Sequence, residues 1–468
     1  MLLAVWGTKA LLALAPSTLP RVSGVQMDLR VLSISFGVSL LCGVIFGLVP
    51  ALTAAKTNLV SSLKESERTD SHGAAGQWLR RTFVVAEVAT ALVLLISAGL
   101  LVRSFAKLLD VKPGFDPNNV ITLRLSLPGA QYDEPAKVDA FYESVLERVS
   151  ALPGVLHASA ASQPPFTPGA DNSIFAIRDW RRKAGEPPPH ADYAFVSADY
   201  FRSMGISILK GRDFQPSDMH AGNSFAPNSV AIIDEELAKR FWPNGDALGG
   251  GISWSNEGPW ATVVGICATA QLKDLTEQSK GTFYLPSYVW SSSLVVRTSG
   301  DPRALVPAIR EQVLAVDPNQ PVFDVKTMAE RVGVTLETRR FAVVLLGIFG
   351  ALALLLAALG LYGVLAFTVS QRTREIGIHM ALGARARDVL FMVLKQGMSL
   401  VLVGVVFGVA AAYAITRAIR SLLFEVGTTD PLTFVVVLLV LMFVGFIACY
   451  VPARRATKVD PLEALRYE

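Results

Sequence analysis

From Phe341 to Val369 no residue carries a charge, and a stretch of that length has few structures open to it. About 20 apolar residues cross the roughly 30 Å hydrocarbon layer of a bilayer as a helix. Inside lipid, only helices and closed barrels satisfy their own backbone polar groups. Four further runs meet the same test: Val31–Ala55, Thr82–Val102, Gly397–Thr416 and Leu432–Ala453. Thr82–Val102 contains Glu87, a carboxylate that must either reach the interface or face a neighbouring helix. Met1–Ala15 is mostly apolar, with Lys9 its only charge, but it is too short to span, has no basic region ahead of the apolar stretch, and reads as the tail of a helix whose beginning is missing.

Positive charge orients the spans. Lys56, Lys64, Arg68, Arg80 and Arg81 lie between the first two full runs, and Arg372, Arg374, Arg385, Arg387 and Lys395 between the third and fourth. Arg454, Arg455, Lys458 and Arg466 follow the last. If every run spans once, all three basic segments share one side, which the positive-inside bias makes the cytosol. Residues 104–338 then lie outside, as does the short loop 421–430. Arg103, Arg339 and Arg340 dissent at the outer ends. A net charge of +4 with 18% charged residues argues against a nucleic-acid surface, because the cations flank the spans. Gly43 with Gly47, and Gly404 with Gly408, are small residues four apart that allow close helix contact.

One segment occurs twice. Val49-Pro50-Ala51 through Lys56 parallels Val451-Pro452-Ala453 through Lys458 at a constant offset (451 − 49 = 402), and Leu63, Gly43, Ile45 and Asp28 match Leu465, Gly445, Ile447 and Asp430 at the same offset. The chain reads as one complete half (span, outer domain, three spans, tail) preceded by the end of an earlier half. Internal repeats are frequent in transporters.

The outer region reads as mixed α/β. Val120–Leu127 alternates as a half-buried strand, Pro135–Ala151 as an amphipathic helix, and Leu156–Ala160 as a strand. Ser293–Arg297 is a second strand set, followed by a helix over Pro302–Val316 with Asp301 as N-cap and a strand over Pro321–Val325. Two β-α-β pieces around a long insertion (163–286) point to a split ferredoxin-like unit. Within the insertion, Val230–Ile233 and Trp260–Ile266 read as strands and Glu235–Phe241 as a helix.

No chemistry is legible. There is no phosphate-cradling Gly-x-x-x-x-Gly-Lys loop, no His-Glu-x-x-His, no Cys-x-x-Cys, no EF-hand loop and no Gly-x-Ser-x-Gly elbow. Cys42 and Cys449 lie in apolar runs, leaving Cys267 without a disulfide partner in the outer region. His72, His157, His190, His220 and His379 are scattered. The chain is read as a non-enzyme with no cofactor and no metal site, which draws its energy from another subunit. Residues 371–388 form a basic amphipathic segment between two spans. Its apolar set, Ile376, Met380 and Leu382, suits either a partner's groove or the lipid headgroups.

Arg374-Glu375-Ile376-Gly377-Ile378 followed by Ala381-Leu382-Gly383-Ala384 resembles the cytosolic coupling segment of the FtsX/MacB-type ABC transporter permeases. The ending, residues 451–466, is similar to that family's C-terminal signature. Val196–Phe201, Gly211–Phe214 and Val230–Pro243 resemble its MacB-like periplasmic domain. With the repeat, the chain looks like the duplicated orphan permeases described in acidobacteria, here without the first half's coupling segment. The resemblance implies an α-helical multi-pass protein of the bacterial inner membrane with an inserted α/β periplasmic domain. Its expected parts are 1–65 (end of a first half), 66–103 (linker and span), 104–338 (periplasmic core) and 339–468 (permease domain). It implies coupling to a separate ABC ATPase dimer through Arg374, Glu375, Ile376, Gly377, Met380, Leu382, Gly383 and Ala384. It also implies a basic tail containing Pro452, Arg454, Arg455, Lys458 and Pro461, and export or extraction of a substrate. Lipid, a periplasmic adaptor and a second permease half are the further partners it implies, and nucleic acid is not among them. The competing reading is a membrane-anchored receptor with an outer ligand-binding domain.

Overall fold

The structure is a computed structural model. It describes residues 71–457 except 168–171, 181–184, 186, 220–228, 246, 277–278, 290, 373–374, 377, 379, 381, 383–384 and 421–422, together with isolated positions between 30 and 44. Apart from those isolated positions, the expected span Val31–Ala55 and the first copy of the repeat lie outside the described residues. The chain divides into two compact units: unit 1 comprises residues 1–109 and 338–468, and unit 2 residues 110–337.

The helices are α1 Ser71–Leu109, α2 Pro135–Ser150, α3 Tyr200–Met204, α4 Glu235–Phe241, α5 Val306–Val316, α6 Met328–Gln371, α7 Ala386–Ala418 and α8 Pro431–Ala456. The strands are β1 Val120–Leu125, β2 Val155–Ala161, β3 Asn172–Ile174, β4 Ala176–Ile177, β5 His190–Val196, β6 Ile208–Gly211, β7 Val230–Asp234, β8 Gly251–Ser253, β9 Ala261–Cys267, β10 Thr282–Pro286, β11 Ser293–Thr298 and β12 Val322–Thr327.

Among the described residues, four helices are long and apolar enough to cross a membrane: Arg80–Leu109, Met328–Gln371, Ala386–Ala418 and Pro431–Ala456. In unit 1 they share a core that includes Leu92, Ile96, Leu361, Leu365, Val401, Leu441 and Cys449. Where lipid is as apolar as the protein, association depends on close packing rather than on the hydrophobic effect. The glycines provide that closeness. A Cβ on Gly404 would sit 2.6 Å from Val88 of α1, and one on Gly408 would sit 2.8 Å from Leu92. The sequence spacing thus marks a real contact face.

The C-terminal end of α1 explains Arg103. It pairs with Asp430, whose carboxylate also accepts the Thr433 backbone N–H at 3.0 Å and its hydroxyl at 2.6 Å. Asp430 is thus both the N-cap of α8 and the counter-charge of α1. The Phe424 N–H donates to the Ser104 hydroxyl at 2.7 Å, tying the loop before α8 to α1.

In unit 2, strand order β12-β1-β11-β2, all antiparallel, is that of a ferredoxin-like sheet. Helix α2 buries Val138, Phe141, Tyr142, Val145 and Val149, a 3.6-period stripe, and α5 buries Ile309 and Val313 against the same core. Asp301 accepts the Arg303 N–H at 3.0 Å, but it caps a 3-10 turn over Pro302–Leu305, and α5 begins after it. The insertion continues the sheet as β5-β10-β7-β9-β8-β4, with β6 on β9. Strands β3 and β4 flank Phe175 and pair with β5 on one side and β8 on the other. The insertion's sheet therefore returns on itself around a core of Phe175, Ile233, Leu237, Val263 and Phe283.

Candidate functional site

The candidate site is the turn from α6 to α7. Helix α6 ends at Gln371, and the Arg372 carbonyl accepts the Ile376 N–H at 2.9 Å, with Glu375, Ile376, Ile378 and Met380 helical again. The Leu382 N–H donates to Ile378 at 3.0 Å. Helix α7 then starts from Arg385, whose N–H donates to Asp388 at 3.0 Å while the Asp388 N–H donates back to its carbonyl at 2.8 Å. This reciprocal cap fixes where the connection ends.

The apolar residues divide between two faces. Ile376 is 6% exposed and belongs to the core of unit 1, and Met380 packs partly buried against that core. Leu382 is 82% exposed and Ile378 41%. Ile376, Met380 and Leu382 therefore do not share one exposed face: Ile376 packs inside unit 1, and the exposed apolar surface of this turn is Ile378 with Leu382. Ile376 also lines a cleft of about 50 Å³ with Leu365, Val369, Arg372, Val389 and Val393. Glu375 is exposed and lies 3.7 Å from Arg372. Arg374, Gly377, Gly383 and Ala384, with Lys458 and Pro461 of the basic tail, lie outside the described residues.

The same end of α6 is gripped twice more. Arg455 donates to the Tyr362 hydroxyl at 2.9 Å, and the Arg80 guanidinium lies 4.0 Å over the Phe367 ring. Pro452 is buried inside the last turns of α8, while Arg454 is exposed. Within the spans, Glu87 faces Gly360 of α6, where any side chain would collide with the carboxylate. Sequence reasoning left Glu87 either at the interface or against a neighbouring helix; the structure puts it against α6. Tyr362 and Phe367 were missed, because aromatic residues in an apolar run carry no pairing signal. Among the described residues no cluster of His, Cys, Asp and Glu could hold a metal ion.

Among the described residues, four helices able to span a membrane, with an α/β domain inserted in sequence between Arg80–Leu109 and Met328–Gln371, define a polytopic membrane protein. The MacB-like periplasmic core domain profile matches residues 88–316, and the FtsX-like permease C-terminal profile matches residues 347–461. The chain belongs to the FtsX/MacB-type permease family of ABC transporters. It is 26% identical over 287 residues to the macrolide export ATP-binding/permease protein MacB of Chromobacterium violaceum, an alignment covering 58% of this chain and 43% of that one. It is 26% identical over 289 residues to the uncharacterized ABC transporter permease YknZ of Bacillus subtilis, covering 58% of this chain and 69% of YknZ. The chain thus spans less than half the length of the ATP-binding/permease relative. A solved structure, the periplasmic region of MacB from Actinobacillus actinomycetemcomitans, matches with a TM-score of 0.31 and 14% identity over 48% of this chain and 95% of that one.

Proposed function

We propose that this chain is the membrane subunit of an ABC transporter whose ATP hydrolysis is carried out by a separate ATPase dimer. The basic turn 371–388 receives the motion and the domain 104–338, on the periplasmic side of the inner membrane, delivers it to an exported or extracted substrate. On this reading 1–65 ends a first permease half, 66–103 links it to the second, and 339–468 is the permease domain. The carrying observation is the two-faced turn. Leu382 and Ile378 offer an exposed apolar contact, while Ile376 is buried between α6 and α7. A push on the exposed face is therefore transmitted directly to two spans. Burying a Leu-sized side chain in a partner's groove contributes roughly 2 kcal/mol, enough to make Leu382 a measurable contact.

The test is co-purification with candidate ABC ATPases. Leu382→Asp and Glu375→Lys are expected to abolish capture while the protein stays in the membrane fraction. Capture unchanged by both substitutions sinks the coupling assignment.

A further inference from the structure

Unit 2 carries a second site that the transport reading does not use. At one edge of the insertion's sheet, a groove of about 760 Å³ opens between the turns that follow β4 and β8. Its volume falls within the range of ligand pockets, roughly 300–1,000 Å³, and the mouths of sheets that close on themselves are a common place for them. Two turns supply its polar and indole lining, Arg178-Asp179-Trp180 in one and Trp254, Ser255, Asn256 and Trp260 in the other, with residues 174–177 and Pro188-Pro189 completing the wall. They are held together where the Arg178 N–H donates to the Gly251 carbonyl at 2.8 Å.

Three tryptophans line the groove, and each is braced. Trp180 stands edge-on to Phe241 at 5.7 Å, and Trp254 edge-on to Tyr193 at 4.9 Å. The Arg178 guanidinium lies 5.5 Å over Trp260. Despite these contacts Trp254 is 39% exposed, and the other two are only half-buried. Asp179 adopts the left-handed region (φ 64°), and it and Asn256 both line the groove.

The chemistry of this lining selects among ligands. A purely apolar ligand would strip water from Arg178, Asp179 and Asn256 with nothing to replace it. A cation caged by the indoles would meet a guanidinium already seated on Trp260. A pyranose sugar satisfies both halves of the surface. Its C–H faces pack on indole rings, and its hydroxyls donate to the Asp179 carboxylate, accept from Arg178 and do both with Asn256. We propose that this groove binds carbohydrate, as two or three linked pyranose rings laid across the tryptophans. The site lies wholly within unit 2 and does not depend on the coupling assignment.

The experiment is a titration of intrinsic tryptophan fluorescence on the full chain in lipid nanodiscs, free of glycoside detergent, with cellotriose, chitotriose and maltotriose as probes. A saturable change with at least one of them is expected, weakened tenfold or more by both Asp179→Gly and Asn256→Ala. Glycine suits the positive φ at position 179, so the turn persists, and matched thermal melts separate lost binding from lost folding. No saturable response to any of the three sugars, or an affinity unchanged by both substitutions, overturns the proposal.

Discussion

Asp234 offers a quantitative test of the insertion's packing. It is fully buried at the end of β7, where its carboxylate caps α4 by accepting the Leu237 N–H at 2.8 Å. Burial pushes its pKa from 3.8 to about 7, against the opposing pull of the backbone hydrogen bonds from Leu237 and Thr282. The folded protein therefore holds a proton between about pH 4 and 7 that the unfolded chain has already released. Stability is full below pH 4, falls as pH rises through 7, and is flat above it. A shift of about 3 units is worth about 4 kcal/mol at 1.36 kcal/mol each. For a domain of this size that moves the unfolding midpoint by on the order of 10 °C. Asp234→Asn keeps the acceptor for the cap and removes the titration. Melting of unit 2, followed by tryptophan fluorescence of the full chain between pH 4.5 and 9, should show wild type losing stability with rising pH relative to the variant, and the two curves parallel above about pH 8. Curves parallel throughout, or a wild type gaining stability with pH relative to Asp234→Asn, would refute the reasoning.

The spans yield further expectations. Gly404→Leu forces a side chain into Val88 and should lower helix-bundle stability by roughly 1–3 kcal/mol, read as a lower detergent-melting midpoint. An unchanged midpoint would show that α1 and α7 do not meet there. Asp430→Ala removes a helix cap, costing about 1 kcal/mol, and strands Arg103. The double change Asp430→Ala with Arg103→Ala should recover part of that loss, and no recovery would dissociate the pair. Ile376→Asp places a charge in the core and should lower membrane yield, whereas Leu382→Asp should leave yield intact. Equal effects would contradict the two-faced turn.

How much of this was legible depended on the range of the contacts. Helix α2 was readable because Val138, Phe141, Tyr142, Val145 and Val149 repeat at helical spacing. The ferredoxin-like half followed from two local β-α-β units. The returning sheet of the insertion was not readable. It rests on the parallel pairing of β5 with β10 across some ninety residues and on β3 and β4, two strands of three and two residues. Strands that short carry no periodicity. In the turn between α6 and α7, spacing held more than was drawn from it. Ile376 and Met380 are four apart and share a face, and both turn inward. Leu382 lies six residues on, roughly 240° round a helix of 3.6 residues per turn, and faces out. Arg103 looked like a violation of charge asymmetry until Asp430, more than three hundred residues later, appeared beside it.

The coupling claim is tested most directly by a cross-link at Leu382. With Leu382→Cys and a cysteine in the membrane-facing groove of a co-expressed ABC ATPase, the account predicts a disulfide on oxidation whose yield changes when ATP is trapped unhydrolysed. A control cysteine at the buried Ile376 should form none. Absence of any link at Leu382, together with labelling of that position by a membrane-impermeant reagent from the periplasmic side, would contradict it.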